Sequence, residues 1–174
     1  RYEGPFSEVN GAYGGTDDLG RTLEGSSTVG ETRQDRQVGI FYFLWMGEHG
    51  TGGPYDNSAI VEASPDAIKS EANWIKAGGG KQGEHHFWGE PLFGYYLASD
   101  EWVMRKHLQM LTDAGIDFIV FDTTNAVTYD ARVKDIIKIW HEYLEMGVDV
   151  PKLAFYTNTK SYETMEHIYN NIYT

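Results

Sequence analysis

The chain of 174 residues is 41% hydrophobic and 14% aromatic, enough for one globular domain with an apolar core and incompatible with disorder over most of the chain. It carries 26 acidic and 14 basic side chains, a net charge of −12, and no Lys/Arg cluster, so we expect neither nucleic acid nor an anionic membrane as a partner. The absence of cysteine excludes disulfides and thiolate metal sites, and the apolar runs are too short to predict membrane insertion.

The first part of the chain differs in composition from the rest. Residues 1–37 combine glycine, serine, threonine and alternating charges without a sustained period, which predicts an extended N-terminal lead-in to a folded body at residues 38–174. Residues 38–45 (VGIFYFLW) are apolar at every position and predict a strand buried on both sides. An irregular segment rich in Gly and Pro follows at 46–98, and a connection of this length is either functional or a decorated insertion.

Beyond residue 98, predicted helices and strands alternate. In chain order they are a helix before Gly115, a strand at 117–122, a helix from about 130, a strand at 152–158 and a helix from 161 to the last residue. Ser99 or Asp100 can cap the first of these helices and Ser161 the third, while Gly115 and Gly147 stand where left-handed C-terminal caps are expected.

This alternation predicts right-handed parallel crossover units, which fit either an open doubly wound sheet or an eight-unit barrel. No G-x-G-x-x-G or G-x-x-x-x-G-K-[ST] motif follows a predicted strand, so the sequence does not indicate a nucleotide-binding open sheet. We therefore predict an α/β fold of the (β/α)8 TIM-barrel type with a long first βα loop at 46–98. Because a complete barrel takes about 250 residues, the chain would supply about the first three βα units, with the remainder of the barrel coming from a missing C-terminal part.

Polar and aromatic side chains follow the predicted strands, where ligand sites of parallel α/β folds lie. Aromatic rings beside carboxylates and amides suit sugars, which offer C–H patches for stacking and hydroxyls for hydrogen bonds. The candidates for carbohydrate binding are Trp45, His49, His85, His86, Trp88, Asn125, Tyr156 and Asn158. The candidate catalytic carboxylates are Glu48, Glu90 and Asp122, any of which could instead contact sugar hydroxyls.

Several of these residues have alternative interpretations. Asp122 could cap its loop by accepting backbone N–H groups, and Asn125 and Asn158 are common turn residues. His85 and His86 are adjacent, so in extended backbone they point in opposite directions and at most one is expected to face a given site.

The sequence contains side chains of the types that bind metal ions: Glu48, His49, Glu84, His85, His86 and Glu90. Their spacing lacks the helical register of an H-E-x-x-H zinc site, so we predict no metal and no cofactor.

Trp88 could pack the long loop onto the body of the protein instead of facing a ligand. The histidines on predicted helices are expected to be ordinary surface or interface residues: His107, His141 and His167.

Three stretches carry a family resemblance: VGIFYFLW, HHFWGEPLFGYY and SDEWVMRKHLQMLTDAGIDFIVFDTTN. They resemble the N-terminal part of the glycoside hydrolase family 71 and 99-like proteins of polysaccharide-degrading bacteria, over residues 38 to about 160. The lead-in TDDLGRTL resembles the segment that precedes the first strand in the same proteins.

The resemblance implies a (β/α)8 barrel that hydrolyses glycosidic bonds of oligo- or polysaccharides, exported to the periplasm or the cell surface. It also implies that the catalytic carboxylates follow later strands, beyond Thr174. Two other classes remain open: a non-catalytic carbohydrate-binding barrel and a metal-dependent hydrolase.

Overall fold

The computed structural model describes residues 15–30, 35–47, 52–81 and 83–174. The strands in these ranges are β1 (Gly15–Thr16), β2 (Thr22–Leu23), β3 (Gly39–Tyr42), β4 (Tyr55–Asp56), β5 (His86–Phe87), β6 (Phe118–Thr123) and β7 (Lys152–Thr157). The α-helices are α1 (Ser26–Val29), α2 (Asn57–Ala63), α3 (Glu71–Lys76), α4 (Glu101–Asp113), α5 (Asp130–Glu145) and α6 (Ser161–Ile168). No helix in the described ranges is long and apolar enough to cross a membrane.

The central element is a parallel three-stranded sheet in the order β3-β6-β7. Each strand is followed along the chain by a helix, and β6 lies between its two neighbours in sequence. The strand and helix alternation predicted after residue 98 is therefore confirmed. In the shared register Tyr42 lies opposite Phe121, which in turn lies opposite Phe155.

One face of this sheet forms the core of the protein. Ile119 and Phe121 of β6 are fully buried, together with Leu108 of α4 and with Val133 and Ile136 of α5. The π-helical turn Tyr169–Tyr173 that continues α6 packs on the same side, where the ring of Tyr173 meets that of Phe155 at 6.0 Å. The helices α4 and α5 and the end of α6 thus contribute to one face.

Of the helix caps predicted from the sequence, all but one lie at the expected positions. Asp100, not Ser99, caps α4, and its Oδ1 accepts the N–H of Val103 at 3.2 Å. Gly115 and Gly147 have the positive φ values, 69° and 84°, expected of left-handed caps.

The prediction that Ser161 caps α6 is wrong. Lys160, at φ 49°, occupies the cap position, and Ser161 is the first helical residue. The Ser161 hydroxyl turns back and donates to the carbonyl of Asn158 at 2.7 Å, so it stabilises the loop after β7 instead of the helix N–H groups.

The prediction that residues 38–45 are buried on both sides is also wrong. Tyr42 is half-buried against the core and Leu44 is buried, whereas Phe41, Phe43 and Trp45 are exposed by 51%, 44% and 44%. The apolar run meets the core with alternate residues only, because successive side chains of a strand point to opposite faces and the helices pack on one of them.

The segment 46–98 contains more regular structure than its Gly and Pro content suggested. Its described part includes the parallel pair β4-β5, the helices α2 and α3, and a 3-10 turn at Pro65–Lys69 between these helices. The short helices begin at side-chain caps: Asp56 Oδ1 accepts the N–H of Ala59, and Ser70 Oγ accepts that of Asn73. We refer to this segment below as the insertion.

Within the predicted lead-in, β1 and β2 form an antiparallel hairpin and α1 follows. Residues 1–14 and 31–34 lie outside the described ranges, so an extended lead-in stays a prediction.

Substitution of two leucines tests whether the core lies on one face of the sheet. Leu108→Ala should lower the free energy of unfolding by about 2 to 5 kcal/mol, because it empties a fully buried site. Leu144→Ala, on α5 and 53% exposed, is the matched control and should cost well under that amount. Urea denaturation measures both, and equal losses would contradict this assignment of the core.

Candidate functional site

Exposed aromatic rings line the sheet face opposite the helices. We call Phe41, Phe43, Trp45 and Tyr156 the aromatic face. The ring centroids of Phe41 and Phe43 lie 6.2 Å apart, those of Phe43 and Trp45 6.2 Å, and those of Phe41 and Tyr156 5.8 Å. Tyr156 is 52% exposed, similar to the other rings, so the aromatic face forms a continuous apolar surface open to solvent.

A carboxylate lies on this face at the carboxyl end of β6. Asp122 pairs in register with Tyr156, and neighbouring residues of parallel strands point to the same side. Its Oδ1 accepts both the backbone N–H of Thr124 at 3.1 Å and the Thr124 hydroxyl at 2.7 Å. The loop-capping interpretation is therefore correct for Oδ1, whereas Oδ2 has no hydrogen-bond partner among the described residues.

His85 continues the aromatic face into the insertion. Its ring lies edge-on to Trp45 at 6.2 Å and to Phe87 at 4.5 Å, and Phe87 in turn contacts the ring of Tyr95 at 5.2 Å. The residue is buried, and its Nε2 is a buried atom with no hydrogen-bond partner among the described residues. Burial, and secondarily the neighbouring His86, lower the pKa of His85, so the ring is neutral at pH 7.

His86 has a different environment, in agreement with the opposite orientation expected of adjacent residues. Its Nε2 lies 2.8 Å from the carbonyl oxygen of Gly79. Its ring contacts those of Tyr55 at 5.2 Å and Trp74 at 5.9 Å. These contacts assign His86 to the internal packing of the insertion.

Glu90 lies beside Tyr95 in the insertion. The hydroxyl of Tyr95 hydrogen-bonds to Asp56, and this bond, together with burial and the charges of Asp56 and Glu90, raises the pKa of Tyr95 to about 12. The Glu90 carboxylate is exposed, and the structure gives it no contact with Asp122.

The other predicted site residues have local roles or lie beyond the description. Trp88 is 67% exposed, and its carbonyl accepts the Ser58 hydroxyl at 2.6 Å. The side chain of Asn125 accepts the N–H of Val127 at 3.1 Å, as a turn residue does. Asn158 is exposed, and its backbone carbonyl accepts the Ser161 hydroxyl. Glu48 and His49 lie outside the described residues.

His107 was expected to be an ordinary surface or interface residue, and the structure places it where α4 meets β3 and the insertion. Its Nδ1 lies 2.8 Å from the hydroxyl of Tyr42, and its ring contacts those of Phe93 and Tyr96, each at 5.8 Å. Burial lowers the pKa of His107 and raises that of Tyr42. The sequence does hold a signal, because position 107 falls between Met104 and residue 108 on the apolar stripe of the helix.

A concavity lies between the loops after β6 and β7. We call it the interloop pocket; its volume is about 260 Å³, and it is lined by Ala126, Thr128, Lys160, Glu163, Thr164 and His167. At its side Asp130, the first residue of α5, accepts from the Thr128 hydroxyl and lies 2.7 Å from Nε2 of His167. This contact links α5 to α6.

The described residues contain no group of three or more His, Cys, Asp or Glu side chains arranged to hold a metal ion. Comparisons of the chain with protein-family models, with curated proteins and with solved structures gave no significant match.

Acid titration should reveal the Asp130 contact. Burial favours the neutral carboxyl, but hydrogen bonds from Thr128 and His167 outweigh it and lower the pKa of Asp130 below its usual value. A depressed folded-state pKa stabilises the protein above the unfolded-state value, near pH 4, and this stabilisation is lost as pH falls through the folded-state value.

Asp130→Asn should therefore be less stable than wild type at pH 7 and should lose less of its remaining stability between pH 5 and pH 3. Asp113→Asn, at an exposed position at the end of α4, is the control. Thermal melts across this pH range measure the effect; parallel curves for wild type and Asp130→Asn would contradict it.

Proposed function

We propose that this chain forms part of a (β/α)8 barrel that binds glycans at the carboxyl ends of its strands, beside Trp45, Tyr156 and Asp122, and hydrolyses their glycosidic bonds. The barrel is supported by the parallel order β3-β6-β7, in which neighbours in sequence are neighbours in space. The helices α4, α5 and α6 pack on one side of this sheet, as the helices of successive barrel units do, and the order of these three strands does not reverse.

The observation that carries the proposal is the aromatic face and the Asp122 carboxylate beside it. A sugar ring presents C–H groups that stack on aromatic faces, and hydroxyls that donate to carboxylates. In a complete barrel further strands would cover Phe41 inside the barrel, whereas Trp45, Tyr156 and Asp122 lie near or beyond the carboxyl ends of their strands, where barrel sites form. A glycan satisfies both the apolar rings and the acidic group.

Hydrolysis requires two carboxyl groups that flank the scissile bond, about 5 to 5.5 Å apart for retention of configuration and further apart for inversion. Asp122 is suited to be one of them. Thr124 holds its Oδ1, so the carboxylate has a defined orientation, and Oδ2 is left to accept a proton or a hydroxyl. The second group would come from Glu48, from Glu90 or from a later strand.

A non-catalytic carbohydrate-binding barrel is the second candidate. It is favoured by the small number of carboxylates on the open sheet face. Asp122 is the one carboxylate that the described strands β3, β6 and β7 provide, whereas hydrolysis requires two. Such a protein would use the same aromatic face and would bind glycans without cleaving them.

Trp45 tests the binding surface. In the full-length protein Trp45→Ala should weaken oligosaccharide binding by about 1 to 3 kcal/mol, the usual cost of removing a large aromatic contact at a binding site. The control is Trp102→Ala, since Trp102 is similarly exposed but lies on α4 and packs on Phe93 at 5.3 Å. Calorimetric titration with manno- and gluco-oligosaccharides measures both, and equal affinities of the two variants would argue against the aromatic face.

Substitution of Asp122 tests the proposed hydrolysis of glycosidic bonds. Asp122→Asn keeps the acceptor for Thr124 but removes the charge, so it should lower glycoside turnover at least about tenfold, roughly 1.4 kcal/mol, with a nearly unchanged melting temperature. A reducing-sugar assay and a thermal melt on the same preparation give both values. A lower melting temperature with normal turnover would make Asp122 a loop cap alone, and a wild type that binds glycans without cleaving them would favour the binding barrel.

A further inference from the structure

His85 carries an unsatisfied polar atom next to the aromatic face. The residue is 7% exposed, and its Nε2 is buried without a hydrogen-bond partner in the described part of the chain. Buried polar atoms in folded proteins almost always have a partner, because leaving one unpaired costs free energy. An apolar ring of similar shape at this position would avoid that cost.

The surroundings of His85 do not otherwise require an imidazole. Its ring contacts are with Trp45 and Phe87, which would pack as well on phenylalanine. Its backbone, not its side chain, makes the structural contact of this position, since the His85 carbonyl accepts the N–H of Tyr55 at 3.0 Å. The side-chain nitrogen is thus a polar group in an aromatic environment without a structural role of its own.

The charge around this group limits what it can bind. The imidazole is neutral because burial and His86 depress its pKa. Asp122 adds negative charge to the open sheet face. The one cation that the described strands place on this face, Lys152, lies at the amino end of β7, at the opposite end of the sheet from Trp45. An anionic group beside His85 would find no counter-charge among the described strand residues of this face, whereas a hydroxyl can donate to or accept from a neutral imidazole.

We infer that Nε2 of His85 hydrogen-bonds a hydroxyl of an uncharged sugar unit that stacks on Trp45. This assignment rests on the proposed function and extends it by naming the atom and the class of sugar. Because Nε2 is covered in the free protein, binding requires a neighbouring group to move aside. The aromatic face then supplies the apolar contact and His85 the polar one.

Two substitutions separate binding from folding. His85→Phe keeps the ring and removes the nitrogen, so it should bind neutral oligosaccharides at least about tenfold more weakly, while its melting temperature equals or exceeds that of wild type. His85→Gln, whose terminal amide reaches close to the position of Nε2, should retain most of the affinity. Calorimetry on the full-length protein would use manno-oligosaccharides, gluco-oligosaccharides and oligogalacturonate, and we expect no binding of the last.

Each outcome has one interpretation. A wild type that binds none of the neutral oligosaccharides overturns the proposed function and this assignment with it. Binding by wild type with equal affinity of His85→Phe overturns the assignment alone, and oligogalacturonate bound as tightly as the neutral sugars overturns the uncharged class. If His85→Phe melts at a lower temperature, His85→Gln decides: retained binding supports the assignment, and lost binding at a native melting temperature overturns it.

Discussion

The packing of the helices on a single face of the β3-β6-β7 sheet is the constraint on which the rest of the structure depends. Side chains of a strand alternate between faces, so one set of residues enters the core with Ile119 and Phe121, and the other set is left on the open face. Phe41, Phe43 and Trp45 belong to the second set, and their exposure follows from the position of the helices and not from any polarity of their own. The aromatic face is thus a direct consequence of how the core is built.

The insertion is tied to this frame through aromatic and histidine contacts. His107 joins α4 to β3 through Tyr42 and to the end of the insertion through Phe93 and Tyr96, while His86 holds the insertion together internally. These contacts leave His85 beside Trp45, at the junction of sheet and insertion. Histidine suits such positions because it offers a flat ring for packing and a nitrogen for hydrogen bonding. The motif HHFWGEPLFGYY therefore combines residues that hold the loop with His85, whose Nε2 has no hydrogen-bond partner among the described residues.

Sequence patterns predicted the regular second half of the chain and failed where tertiary packing decides. The apolar stripes of α4 and α5, the Asp100 cap and the glycines at 115 and 147 are local features, since each depends on a residue and its near neighbours. The short helices of the insertion were missed because helices of this length have little periodicity to read. The partners of His107 could not be predicted, because a histidine on an apolar stripe becomes buried only if a group such as Tyr42 lies across from it.

The sequence by itself determined which residues can form strands and helices, that the strands are parallel, and that aromatic and acidic groups follow them. Those properties arise from side-chain chemistry and from short-range periodicity. Only the tertiary structure decided that Tyr42 and Leu44 are the residues of VGIFYFLW that meet the core, that His85 and not His86 adjoins Trp45, and that Asn125 is engaged in its own turn. The physical reason is that burial and hydrogen bonding depend on segments far apart in the chain, and no local pattern states which face of a strand those segments will cover.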